Sequence, residues 1–161
     1  AGHACSAPRP IAGDGLVHAY IHGAGRVGVL IEINCQTDFV ARGDDFRQFV
    51  EETAMQVAAE NPLFVSEDDI PENELLARMA IFRGQLEEEA KATGKAKPAA
   101  AVEKIVEGKL AKFYSENVLM EQPYIKNPDQ TVDEYLKSTV AVLKENIQVR
   151  RFVRFERGEA I

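Results

Sequence analysis

The chain has 161 residues, 45% hydrophobic and 28% charged, with a formal net charge of −7 at pH 7. That length suits one domain whose core needs no staple of disulfides or metal. The acidic balance, with a pI near 5.1, excludes a general nucleic-acid binder, which needs a basic footprint, and no run approaches the ~18 consecutive apolar residues of a membrane span.

The first residues, AGHACSAPRP, are small, proline-containing and without period. Residues 1–12 therefore read as a linker-like or processed end rather than as structure. Two cysteines, Cys5 and Cys35, occur without metal-ligand or CxxC spacing, the pattern of two unrelated thiols in a reducing compartment. GLVHAYIH (15–22) alternates, with Val17, Ala19 and Ile21 on one face and His18, Tyr20 and His22 on the other. RVGVLIEIN (26–34) puts Val27, Val29, Ile31 and Ile33 on one face. The two runs flank Gly23-Ala24-Gly25 and predict a β-hairpin.

From Asp44 the period changes to that of a helix, with Phe46, Phe49, Val50, Thr53, Ala54 and Val57 in one stripe, and Asn61-Pro62 stops it. Ser66-Glu67-Asp68-Asp69 and Pro71 predict the start of a second helix, striped by Leu75, Leu76, Met79, Phe82 and Leu86. A Lys/Ala-rich link with Gly94 and Pro98 leads to a third, carrying Val102, Ile105, Val106, Leu110 and Phe113. Together these make a helical hairpin over about 72–117 that projects from the body. Pro123 and Pro128 frame an irregular stretch, and Thr131 with Glu134 has capping-box spacing at the head of a helix striped by Val132, Tyr135, Leu136, Thr139, Val140 and Leu143. NIQVRRFVRF (146–155) reads as a strand whose alternation breaks at Arg150-Arg151, which predicts a bulge or an exposed edge there. The sum is an α+β fold: a small three-stranded antiparallel sheet covered by helices, with residues 13–161 as one core domain.

Most motifs have an ordinary reading. GAGRVG (23–28) matches a dinucleotide-binding fingerprint, but a β-branched, period-two run follows where a helix is required; the glycines belong to a turn and a close approach in the sheet. His18 and His22 stand roughly 13 Å apart along a strand, too far for one metal. Glu51-Glu52 and Glu87-Glu88-Glu89 read as solvated helix faces. Cys35 reads as a buried thiol. The arginines at 150, 151 and 154 are read as pairing internally or at an interface, with phosphate binding the minor alternative. No nucleophile stands beside a credible base, so neither an enzyme nor a cofactor is expected. Phe39 is the unusual residue. It follows the polar Asn34-Cys35-Gln36-Thr37-Asp38, where a core strand has ended and a solvated turn has no use for a benzyl group. Either it staples onto the helix carrying Phe46, or it stands ready to enter an apolar pocket of a partner.

TDFVAR (37–42), preceded by RVGVLIEINCQ and followed by FRQFVEETAMQVAAENP, closely resembles the elongation factor Ts family, as do GLVHAYIH, IVEGKLAKF (105–113), LMEQPYIKN (119–127) and ENIQVRRFVRFERGE (145–159). The blocks are colinear from about Gly13 to Glu159. They cover the core domain, without the small three-helix module with which the family usually begins. The resemblance implies a guanine-nucleotide exchange factor for elongation factor Tu in translation. Asp38, Phe39, Val40 and Ala41 would be the segment that dislodges magnesium from the GTPase, with Phe39 the wedge. Thr37, Leu143 and Lys144 would be secondary contacts, although Lys144 stands where the family usually has glycine. The resemblance also implies a possible homodimer through the sheet or the helical hairpin, no direct contact with nucleic acid or membrane, and a bacterial cytoplasmic location, with chloroplast or mitochondrial matrix as the alternative. A second reading is a binding or scaffold module of the same fold, in a ribosome- or polymerase-associated assembly, that holds its partner without promoting exchange.

Overall fold

The computed structural model describes residues 13–161; the N-terminal segment and Cys5 lie outside the described residues. Strand β1 (Asp14–His22) turns through residues 23–26 into β2 (Val27–Cys35), and the last strand, β5 (Gln148–Glu156), pairs antiparallel on the other side of β2. Between β2 and β5 run α1 (Asp38–Ala41), α2 (Asp44–Glu60), α3 (Glu72–Thr93), α4 (Ala99–Asn117), a two-stranded ribbon of β3 (Pro123–Tyr124) and β4 (Asn127–Thr131), and α5 (Val132–Leu143). The fold is α+β, as the periodicities predict.

The glycines of the dinucleotide-like motif make the hairpin turn. Gly23 and Gly25 have positive φ, and Arg26 N–H donates to the His22 carbonyl at 3.0 Å. A different glycine supplies the close approach within the sheet. A Cβ on Gly15 would stand 2.2 Å from the Ile33 carbonyl oxygen, a clash with backbone that only the bare residue avoids.

Val29, Ile31 and Ile33 on β2 are buried against Phe46, Phe49, Val50, Ala54 and Val57 of α2. The alternating strand and the helical stripe thus meet as their periods dictate. Val132 is buried in the same core, and Tyr135, Leu136, Val140 and Leu143 of α5 pack at its edge. The capping box forms: Glu134 N–H donates to Thr131 Oγ1 at 3.2 Å and Thr131 N–H to Glu134 Oε2 at 3.3 Å. Leu86 of α3 packs with Val106 and Leu110 of α4 in a separate cluster, so the helical hairpin carries its own small core. None of the helices described is long and apolar enough to cross a membrane.

Two expectations about the second helix need correcting. The second helix begins at Glu72, not at Ser66. Ser66 and Asp69 instead close a capping box on a separate 3-10 turn, Glu67–Asp69, because Pro71 lacks the N–H needed to continue it. Leu76, placed in the buried stripe of α3, is 55% exposed. The apolar face of β1 points away from the core: Leu16 and Tyr20 pack inward, whereas Val17 and Ile21 are each 64% exposed. The bulge is where the alternation breaks. Glu32 pairs with Arg151 and Ile33 with Val149, which leaves Arg150 as the extra residue. That places two successive guanidiniums on one carboxylate: Arg151 Nε donates to Glu32 at 2.6 Å and Arg150 Nη1 at 3.2 Å. Burial alone would raise the Glu32 carboxyl, but the hydrogen bond from Arg151 and the other partners lower it below its usual range. Arg154 reaches the Ala58 carbonyl at the end of α2 with Nε and Nη2. All three arginines thus pair within the molecule.

Candidate partner interface

Helix α1 is a single turn joining β2 to α2. Its N-cap is Thr37, whose hydroxyl accepts from Val40 N–H at 3.4 Å and satisfies one of the free first-turn amides. A turn of helix separates neighbouring side chains by about 100°, so these four residues cannot all face one way. Val40 and Ala41 turn inward and are 8% and 6% exposed, while Asp38 and Phe39 turn outward. Phe39 is 84% exposed. That removes the staple onto the Phe46 helix: among the described residues the ring joins no hydrophobic cluster. It also lies at the opposite end of β2 from the β1–β2 hairpin turn. Asp38 pairs with Arg42 across the turn at 3.1 Å, a solvent-exposed contact of little consequence for stability.

The expected secondary residues gather nearby, and one further residue joins them. Leu143 is half-buried against the core. Lys144 is exposed and sits at the C-cap of α5 with φ 58° and ψ 26°, its N–H donating to the Val140 carbonyl. This left-handed conformation is natural for glycine and costs an L side chain about 1 kcal/mol or more. Lys144→Gly should therefore raise stability by about 1 kcal/mol, seen as a Tm increase of roughly 2–4 °C for a chain of this size; an unchanged or lower Tm would show that the lysine side chain has a compensating contact. The left-handed turn sends Glu145 back across the domain to residues 36 and 37. Its Oε2 accepts from Gln36 N–H and Thr37 N–H, both at 3.1 Å, and its Oε1 accepts from Thr37 Oγ1 at 2.5 Å. Asn146 N–H adds a bond to Gln36 Oε1 at 3.4 Å. Nothing in the local spacing marks Glu145; its partners lie 108–109 positions away.

Cys35 is buried as expected, its Sγ donating to the Thr37 carbonyl at 3.2 Å. Burial first, then the nearby Glu145 charge, pushes the thiol up, so it is not a nucleophile. The register sets His18 opposite Ile31 and His22 opposite Val27, whereas Cys35 pairs with Asp14; among the described residues no imidazole lies opposite the thiol. Among the described residues no group of three or more His, Cys, Asp or Glu side chains is placed to hold a metal ion.

Glu52 departs from the expectation of a solvated face: Glu51 is exposed, but Glu52 is only 8% exposed. The side chain faces the β3–β4 ribbon and α5. Tyr124 and Tyr135 donate their hydroxyls to its Oε2, each at 2.5 Å, and Lys126 and Gln48 donate to Oε1 at 2.8 and 3.2 Å. Burial works to raise this carboxyl, but the four donors outweigh it and hold it at about 2. Burial and the same carboxylate raise both tyrosines, whose rings stack at 4.6 Å. This network ties α5, and with it the Glu145 loop, to α2.

A surface groove of about 580 Å³ has Val65, Leu136 and Ile147 in its lining and Glu67, Glu121 and Asp133 beside them. Burial and the neighbouring Glu121 charge raise Glu67. A surface this acidic repels phosphate, so this groove is no seat for a nucleotide.

The comparisons with known proteins give the family. The family model described as Elongation factor TS matches residues 9–159. The chain is 52% identical over 150 residues to Elongation factor Ts of Caldanaerobacter subterraneus subsp. tengcongensis, covering 93% of this chain and 72% of the relative. It is 53% identical over 151 residues to Elongation factor Ts of Moorella thermoacetica, covering 94% and 71%. The same named factor in Coprothermobacter proteolyticus is 49% identical over 148 residues, covering 92% and 72%. An α+β core with this colinear match is that of a translation elongation factor. The chain belongs to the elongation factor Ts family.

Proposed function

We propose that this protein is a guanine-nucleotide exchange factor for elongation factor Tu, acting in the bacterial cytoplasm by inserting the α1 turn into the GTPase. The observation that carries the reading is Phe39, a large apolar side chain 84% exposed on a turn held by hydrogen bonds from a distant part of the chain. The ring enters between helices of the GTPase, and the exposed Asp38 enters beside it. Their insertion disturbs the magnesium site, and GDP leaves. Val40 and Ala41, buried in this domain, anchor the turn from within; Thr37 and Lys144, both exposed, flank it as secondary contacts. No bond is made or broken by this chain. It need only bind the nucleotide-free GTPase more tightly than the GDP-bound form, and linkage then requires GDP to weaken the complex as much as the complex weakens GDP.

The test is release of a fluorescent GDP from elongation factor Tu with and without the protein, beside co-elution with the nucleotide-free GTPase. Concentration-dependent acceleration, with a complex that separates when GDP and magnesium are added, is the expected result. Co-elution without acceleration would leave the scaffold reading; neither effect would remove both.

The outer face of the sheet supports a second partner. Val17, Ile21, Leu30 and Phe155 are 64%, 64%, 47% and 58% exposed, and among the described residues no helix covers them. The register brings them into one patch, since Leu30 pairs with Ala19 and Val153, and Gly28 with Ile21 and Phe155. Such a patch marks an interface, and two twisted sheets pack well face to face. The occupant we infer is a second copy of this chain. Analytical ultracentrifugation should show a dimer that Leu30→Glu converts to a folded monomer; a wild-type monomer at high micromolar concentration would exclude this pairing.

A further inference from the structure

A wedge works only if its mounting is rigid, and α1 cannot supply that rigidity itself. Four residues make one hydrogen-bonded turn, far below the ~12–15 residues at which an isolated helix is even marginal in water. The hold comes from the other end of the chain. Glu145 takes the amides of Gln36 and Thr37 on one carboxylate oxygen and the Thr37 hydroxyl on the other. A hydroxyl has one proton to give. Because Thr37 gives it to Glu145, its lone pairs are left to face Val40 N–H, the bond that starts the helical turn. Cys35 Sγ holds the Thr37 carbonyl from the buried side. With both oxygens engaged within its own chain, Glu145 has little left to offer a partner.

The geometry points to Glu145 as a positioning residue for nucleotide exchange: its carboxylate, folded back by the left-handed Lys144, locks residues 36 and 37 and so fixes the direction in which Phe39 points. This rests on the exchange-factor reading above. It also gives the α5–β5 loop a role other than direct contact with the GTPase. The loop acts through Phe39.

The test uses the full chain with Glu145→Ala and Glu145→Gln, the second keeping one acceptor and guarding against a loss of folding. In the free protein, amide hydrogen exchange at Gln36 and Thr37 should speed up tenfold or more in Glu145→Ala, with the central amides of β2 and α2 unchanged. Stimulated GDP release should fall by about tenfold, since a misplacement of about 1 Å in such a contact can cost that much or more, and Glu145→Gln should fall between Glu145→Ala and the parent. In a Phe39→Ala background the Glu145→Ala change should add nothing, because two changes acting through one element are not additive. Unchanged exchange at residues 36 and 37, unchanged release, or an equal loss in both backgrounds would overturn the assignment; the last would mean that Glu145 touches the GTPase directly. If Phe39→Ala itself released GDP normally, the exchange-factor reading would fall, and the amide measurement would still judge the clamp.

Discussion

Phe39→Ala is expected to keep the Tm of the parent within a degree or two while slowing stimulated GDP release tenfold or more. The two halves of this result have different causes. The ring is 84% exposed and belongs to none of the hydrophobic clusters among the described residues, so its removal leaves no cavity in them, and surface changes of this kind stay within about 0.5 kcal/mol. In the complex the same ring would be fully enclosed. Burying a phenylalanine side chain contributes ~1.5–3 kcal/mol, and each ~1.4 kcal/mol is a factor of ten, so tenfold is a lower bound if the wedge acts only in the nucleotide-free state. Phe39→Leu should retain part of the activity, because it keeps apolar bulk without the planar ring. A stable, folded Phe39→Ala protein with full exchange activity would count decisively against the insertion mechanism.

Glu52→Ala should act in the opposite way, with a large loss of stability at neutral pH and a loss of exchange only as far as the fold suffers. Removing one partner from a buried charged network leaves the others unsatisfied, at a cost of roughly 3–5 kcal/mol. Here the abandoned groups are Lys126 and the hydroxyls of Tyr124 and Tyr135. The pH dependence has a definite sign. The folded carboxyl is held at about 2, below its unfolded value, so its contribution is complete at neutral pH and above the unfolded pKa of about 4.3. It drains away as the pH falls toward the folded value. The shift corresponds to roughly 3 kcal/mol, using ~1.36 kcal/mol per pH unit. Urea unfolding of parent and variant should therefore differ most at pH 7, and about half of the pH-dependent part should be gone by pH 3. A gap between the two proteins that stays constant over this range would show that folding does not lower the Glu52 carboxyl.

The periodic elements were legible in the sequence because one physical term dominated each of them. The α2 stripe of Phe46, Phe49, Val50, Thr53, Ala54 and Val57 is wholly buried, and the break at Arg150-Arg151 is the bulge. The facing of β1 was not legible. Its apolar set looks outward, and a strand carrying apolar residues on an uncovered face gives the same alternation as one packing inward. The β3–β4 ribbon was hidden by its prolines and by strands of only two and five residues, too short for a period. Glu52 was hidden because an acidic pair on a helix is usually solvated; only the tertiary placement of Tyr124, Tyr135 and Lys126 turns one member inward. For the candidate site, Phe39 stood out as an apolar residue with no local use. The inward turn of Val40 and Ala41 required the helical geometry, and Glu145 required the distant loop to be brought alongside.

The bulge at Arg150 also marks the one place where the strand has slack. Arg151 lies opposite Glu32 and Val149 opposite Ile33, so the residue between them is surplus to the ladder. Excising Arg150 would leave those pairs in place and let Phe152, Val149 and Ile147 keep the buried side in strict alternation. The loss would be one of the two guanidiniums on Glu32 and the local bend. A residue lost anywhere else in β5 would instead turn part of the strand inside out.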